Sequence, residues 1–274
     1  MNRPLKQVIL AKRPSPSLAW LVLFSACLPF GMRAQAPPAA RAPASPKDAA
    51  PIDLTGYWVS IVTEDWRYRM LTPAKGDYSS VPLNPAGRKL ADAWDPAKDE
   101  QAGNQCKAYG APAIMRIPGR VHVSWDNATT LKVETDAGTQ ARLFHFGSES
   151  AKKPDPSWQG YSSALWQPTG GGRTFAPGGP GALRQLEGGE GGSLKVITTS
   201  LREGYLRKNG VPYSSNATVT EYYSRADEAN GDSWLIVTTV VTDPTYLNVP
   251  FLTSTHFKKQ ADAKGWDPSP CSAR

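Results

Sequence analysis

Three histidines and three cysteines are all that 274 residues offer toward metal or thiol chemistry. His122, His145 and His256 stand far apart, without the close His pairs that open a zinc site. No CxxC occurs, which argues against a cysteine nucleophile or a metal-binding knuckle. The longest apolar run, 18–30, is shorter than the roughly 20 residues a spanning helix needs. Glycine is abundant in 168–193, but no Gly-Lys-Ser/Thr ending is present and a strand pattern follows, so this is not a phosphate loop. No internal repeat of fixed period is visible. These absences leave no metal site and no cofactor to expect.

What is present begins with an address. Arg3, Lys6, Lys12 and Arg13 precede the apolar run, and Ala34-Gln35-Ala36 follows it as a small-x-small cleavage site. That order is a secretory signal peptide over 1–36. Pro37 directly after the cut is unfavourable, and the rival reading is Leu23-Phe24-Ser25-Ala26-Cys27, a lipobox in which Cys27 is lipidated. The expectation is an exported protein, in the periplasm or outside the cell, with membrane attachment only if it is anchored through Cys27. Five basic residues and no acidic ones lie in 1–36, so the mature chain keeps 26 basic and 24 acidic residues, a net +2. Such a surface gives no support for nucleic-acid binding. Cys106 and Cys271 remain, and an oxidising compartment favours a disulfide between them over two separate buried thiols. Residues 37–50 are proline and alanine with little else, and read as a disordered tether.

From 51 to 274 the apolar pattern is mostly two-fold, the period of strands in a single domain. Strands are expected at 57–62 and 66–71 as a hairpin, then at 114–117, 120–126, 130–136, 139–146, 161–166, 194–201, 217–225, 234–243 and 252–258. One helix stands out: Asn84 caps it, Pro85 suits its first position, and Leu90, Ala91 and Trp94 follow at helical spacing before Asp95-Pro96 ends it. The stretch 168–193, ten glycines in twenty-six residues, reads as a disordered surface loop. About ten antiparallel strands with short turns and one short helix predict an all-β fold. An up-and-down β-barrel hides its sheet edges, with a two-sheet sandwich as the alternative.

Two resemblances follow from particular residues. Gly56-Tyr57-Trp58 resembles the Gly-x-Trp that opens the first strand of lipocalins. This implies a lipocalin-like barrel in which Trp58 plugs one end and packs against a last-strand cation, Lys258 or Lys259. More broadly, Asp53-Leu54-Thr55-Gly56-x-Trp58, Cys106 with Tyr109-Gly110-Ala111-Pro112 and Pro118, Trp158-Gln159-Gly160-Tyr161, 194–199, 205–213, Thr220-Glu221-Tyr222-Tyr223 and Asp243-Pro244 resemble an uncharacterised family of exported bacterial proteins. That resemblance covers nearly all of the mature chain and implies no activity.

The leading functional expectation is therefore a binding protein for a small apolar or aromatic molecule in a barrel cavity. Trp66, Tyr68, Trp125 and Tyr223 are its candidate lining, with Arg207 and Tyr213 at the mouth. The segment 201–216 crowds cations and tyrosines round Asn209-Gly210, a hairpin-turn signal. It reads either as a plain polar hairpin or as a rim suited to a carboxylate or phenol. A second expectation is a cofactor-independent lyase, isomerase or hydrolase using Glu221, Tyr205 and His145 as acid–base groups. Glu221 would then face the lumen; in the opposite register it is solvated or ion-paired and inert. A third is a structural, envelope-associated protein with no ligand. The sequence carries no signal for oligomeric state.

Overall fold

Strict alternation builds the wall of this protein. In the computed structural model, which describes residues 44–147, 155–169, 174–175, 183–184 and 191–274, nine strands close into a barrel. They are β1 (Gly56–Ile61), β2 (Arg120–Asn127), β3 (Thr130–Thr135), β4 (Gln140–Phe146), β5 (Tyr161–Pro168), β8 (Gly192–Thr199), β11 (Thr218–Asp227), β12 (Ser233–Thr242) and β13 (Phe251–Gln260). The order round the barrel is β1-β13-β12-β11-β8-β5-β4-β3-β2. Two small ladders lie outside the wall. One pairs β6 (Thr174–Phe175) with β7 (Leu183–Arg184), and the other pairs β9 (Gly204–Arg207) with β10 (Val211–Tyr213).

Every second side chain points inward. Val121 and Val123, Leu131 and Val133, Leu194 and Val196, and Leu235 and Val237 are all buried, and Trp58, Phe144 and Phe257 fill the space between them. The opening stretch behaves as its residues suggest. Asp53 Oδ1 accepts from the Thr55 backbone N–H and hydroxyl. Gly56 turns the chain at φ +101°, where a Cβ would meet Lys259 Nζ at 2.9 Å. Trp58 is fully buried, donates to the Leu54 carbonyl, and lies under Lys259 Nζ at 4.5 Å from its ring centroid.

The wall corrects the strictly up-and-down expectation. β4 and β5 run parallel, with Phe144 opposite Ser162, while all other neighbours are antiparallel. The chain after β4 returns to the end where β4 began. There Ser157 bridges Leu201 and the Trp158 carbonyl accepts from Ala111 N, so β5 must start at that same end.

Other expectations also give way. Residues 66–71 are not a hairpin strand. β1 already has β13 and β2 on its two edges, so no edge is free, and Trp66–Arg69 forms a single helical turn, α1. Ile114–Arg116 is a buried 3-10 turn for the same reason. The expected helix is present as α2 (Pro85–Asp92), with Asn84 Oδ1 accepting from Gly87 N. Asp95-Pro96 stops it and starts another, α3 (Pro96–Gln101), because Asp95 caps Ala97 N and proline fits the first helical position. Residues 44–50 are not a loose tether: they form turns, and the Pro46 carbonyl accepts from the half-buried Trp166 indole N–H. The calls on 1–36, including Cys27, lie outside the described residues, as does 37–43. Within 168–193, Pro168 ends β5, Thr169 N donates to the Gly191 carbonyl, Gly192 and Ser193 begin β8, and the β6–β7 ladder lies between them; the rest is outside the described residues.

Three long connections leave the same rim of the barrel. They are 62–119 after β1, 200–217 between β8 and β11, and 243–250 between β12 and β13. They carry the helices, the 3-10 turns and the β9–β10 hairpin, and together build a cap with its own core around Tyr78, Leu201, Leu206, Val211, Tyr213 and Phe251. Cys106 and Cys271 are disulfide-bonded, so the C-terminal segment is tied to this cap.

The sequence separation of 165 residues makes that cross-link effective. Removing it with Cys271→Ser is expected to lower unfolding free energy by about 5 kcal/mol in the chain-entropy model. The check is the urea midpoint of wild type and variant, with wild type plus reductant matching the variant.

Candidate functional site

At mid-height the lumen is occupied. Arg142 on β4 reaches across to Glu221 on β11 in a bidentate pair, with Nη1 to Oε1 at 2.9 Å and Nη2 to Oε2 at 2.5 Å. Tyr223 Oη donates to Glu221 Oε1 at 3.1 Å, Arg142 Nη2 donates to Thr198 Oγ1 at 3.1 Å, and Thr198 meets Ser162 at 2.8 Å. Glu221 and Thr198 have no exposed surface at all. Burial is the largest single influence and works to lower the Arg142 pKa, but the charges of and hydrogen bonds to Glu221 and Tyr223 together outweigh it and the net direction is up. Burial, and then Glu221, drives the Tyr223 phenol well above its ordinary value. Glu221 thus faces inward and is ion-paired: a cross-strut of the wall rather than a free acid.

The two other acid–base candidates do not join it. Tyr205 on β9 donates to Asp99 Oδ2 at 2.7 Å in the cap. His145 points outward from β4 and stacks on Tyr161, with centroids 5.0 Å apart. His122 and His256 are also on the outer face, against Tyr57 and Glu64 respectively. The enzyme expectation needed Glu221, Tyr205 and His145 to converge, and they have separate neighbours on opposite faces.

The six ligand-lining candidates divide as well. Trp66 is 62% exposed on α1. Tyr223 belongs to the strut. Trp125 lies at the barrel end opposite the cap, in an aromatic cluster with Phe146 and Trp166, beside a hollow of about 330 Å³. Tyr213 is fully buried in the cap and its hydroxyl finds no partner. Tyr68 and Arg207 do come together, where the cap holds a pocket of about 270 Å³.

Two residues that sequence reasoning missed define this pocket. Arg69 from α1, Arg116 from the 3-10 turn and Arg207 from β9 all line it, and all three are nearly buried. Arg69 Nε donates to the Arg116 carbonyl at 2.8 Å, and its Nη1 pairs with Glu64. Arg116 Nη2 donates to Asp65 at 3.0 Å. To offer that carboxylate Asp65 adopts a left-handed φ of +50° and leaves α1 without a side-chain cap. Arg207 Nη1 donates to the Ser79 carbonyl at 2.7 Å, and its guanidinium lies over the Tyr68 ring at 4.2 Å. No carboxylate pairs with Arg207 among the described residues. Among the described residues four guanidinium nitrogens of this pocket stay buried without an acceptor: Arg69 Nη2, Arg116 Nη1, and Arg207 Nε and Nη2. Burial pushes the pKa of each arginine down, and Arg116 adds like-charge repulsion to Arg69 and to Arg207. Three cations facing two carboxylates make an electropositive recess. Ile117 and Leu206 give it apolar wall, and the exposed Met70 and Leu71 give it an apolar lip.

The chain matches no family model, no curated protein and no solved structure. The site must therefore be judged on its own chemistry. One signal for the missed arginines was present: Arg116 interrupts the apolar run Ala113-Ile114-Met115-Arg116-Ile117, and a charge in such a run is buried only if something compensates it.

Glu221→Ala is expected to cost about 3–5 kcal/mol, because it strands a buried guanidinium. Arg142→Leu combined with Glu221→Leu should recover most of that loss; urea unfolding of the three proteins checks both. Tyr205, Tyr213 and Tyr223 all have phenols raised from the usual 10.0, chiefly by burial. The native state therefore holds these protons after the unfolded chain has lost them, so stability is full below pH 10 and falls as pH rises above it. Absorbance titration should show three tyrosines that ionise only as the protein unfolds.

Proposed function

We propose that this is an exported binding protein whose cap pocket takes a small organic anion, a carboxylate carried on an apolar or aromatic body. One observation carries the reading: three buried arginines share one pocket with only two carboxylates and keep four donor nitrogens unspent. Buried charged donors without acceptors are costly, and an incoming anion removes that cost. A carboxylate suits the planar guanidinium fork, while Tyr68, Leu206 and Met70 suit an apolar body. The reading moves the expected ligand from the lumen to the cap, because the Arg142–Glu221 strut fills the lumen at its height. Export remains an inference from the N-terminal residues, and the Cys106–Cys271 disulfide accords with an oxidising compartment. The resemblances to lipocalins and to exported bacterial proteins rest on the residues that suggested them.

Calorimetry with benzoate and phenylacetate at low ionic strength tests the proposal. Wild type should bind, and Arg207→Met should weaken binding by about ten- to a hundredfold, the worth of a charge-assisted hydrogen bond. Arg67→Met, which removes an exposed arginine paired with Asp77, should leave binding unchanged. Failure of both ligands to bind wild type, or equal binding by the Arg207 variant, would sink it.

A further inference from the structure

The β9–β10 hairpin has two sides. Leu206, Arg207 and Lys208 face the arginine pocket, while Gly204, Tyr205, Pro212 and Tyr213 form part of a separate cleft of about 280 Å³ closed by α2, α3 and Tyr246. Its chemistry differs from that of its neighbour. Here the charges are largely matched: Lys107 Nζ bonds Asp99 Oδ1 at 2.9 Å, and Lys98 lies 3.9 Å from Asp95. What the cleft offers is aromatic surface and unspent neutral hydrogen-bonding groups.

Trp94 is the central group. A Cβ on Gly210 would stand 2.2 Å from its Cγ, so the hairpin turn presses directly on the indole and fixes its position. Gly210 sits at φ +80°, a conformation glycine adopts without strain, and this close approach requires it. Among the described residues Trp94 Nε1 is buried with no acceptor, and the hydroxyl of Tyr213, which also lines the cleft, is likewise unpartnered. The Tyr205 hydroxyl donates its hydrogen bond to Asp99 Oδ2 and keeps lone pairs that can accept. Tyr246 lines the opening and is partly exposed. A ligand for this cleft should therefore be neutral, present a flat apolar face to an indole, and carry groups that both donate and accept.

We propose that the cleft between the β9–β10 hairpin and Trp94 binds a neutral sugar ring. A pyranose meets each demand: axial C–H groups for the aromatic face, and hydroxyls that accept from Trp94 Nε1 while donating to Tyr205 Oη. The volume, just below the roughly 300 Å³ where ligand pockets begin, limits the bound portion to one or two rings. The site is independent of the arginine pocket and does not rest on the function proposed for it.

Saturation-transfer NMR on the mature protein, with methyl β-D-glucopyranoside, cellobiose and xylobiose as probes, tests this. Transfer to ring protons is expected from wild type. It should weaken by about tenfold in affinity for Trp94→Phe, which keeps an aromatic ring but loses one hydrogen bond. Tyr246→Ala, a partly exposed position whose loss spares the cap core, should weaken it too. Arg207→Met should leave it intact, which separates this result from the fate of the anion site. The proposal is overturned if none of the three sugars shows transfer, or if transfer survives both variants. Benzylammonium displacing the sugars at lower concentration would also overturn it, by identifying a cation site.

Discussion

Arg142 and Glu221 meet in the middle of a closed barrel, and much of the surrounding design answers the cost of placing them there. An ion pair without solvent recovers its desolvation only if its remaining donors and acceptors are satisfied. Tyr223, Thr198 and Ser162 supply partners from three strands and leave only Arg142 Nε without an acceptor among the described residues, which explains why inward positions otherwise given to Val and Leu carry a hydroxyl at this height. The guanidinium also lies against the Phe144 ring, at 4.9 Å, so its apolar face is covered as well. The pair joins β4 to β11 across the barrel, and so constrains strands that are not neighbours in the wall. A lumen braced in this way has its central volume spent on structure.

Ligand-sized space is then left to the ends, and the two ends are unequal. The far end is finished by Trp58, the Trp125–Phe146–Trp166 cluster and the turn at 44–50 that supplies an acceptor to Trp166. The cap end receives three long connections, which bring polar side chains that no strand could have placed together. Arg69, Arg116 and Arg207 come from three separate segments. Like charges gathered in a buried recess repel one another, and Glu64 and Asp65 offset only part of that repulsion. An arrangement that stores unfavourable electrostatics is the kind that function retains and that folding alone would not select.

The wall was legible in the sequence because alternation is a direct statement of which face is buried. The strands near 120–126, 130–136, 139–146 and 234–243 fall where their Val, Leu and Ile alternate, and Asn209-Gly210 makes its hairpin. The cap was not legible in the same way. WRYRML at 66–71 alternates as well as any strand, but it stands beside a strand whose two edges are taken, and edge availability is a property of the whole sheet. The parallel β4–β5 pair was hidden for a similar reason: where the chain returns depends on contacts of Ser157 and Trp158 with distant segments. Of the candidate site residues, Arg207 and Tyr68 stand together, though one was expected at the mouth and the other in the lining of a barrel cavity. Their partners Arg69 and Arg116 lay in stretches read as strands, where an arginine reads as a solvent-facing residue.

The hairpin between the two clefts shows how fold and site share one constraint. Gly210 must be glycine twice over, once for its positive φ and once for the indole pressed against it, so the turn and the position of Trp94 are settled together. Alternation alone would put Tyr205 and Arg207 on one side of the hairpin; the bulge at Leu206, where the register shifts between Val211 and Pro212, is what lets Arg207 line one cleft and Tyr205 the other. A regular ladder without that bulge would bring the phenol and the guanidinium to one face and end their separation. Asn209, fully buried and donating to the Ala74 and Asp77 carbonyls, fixes the turn to the segment after α1. The separation of a cationic recess from a neutral aromatic cleft thus follows from one bulge beside one pinned turn.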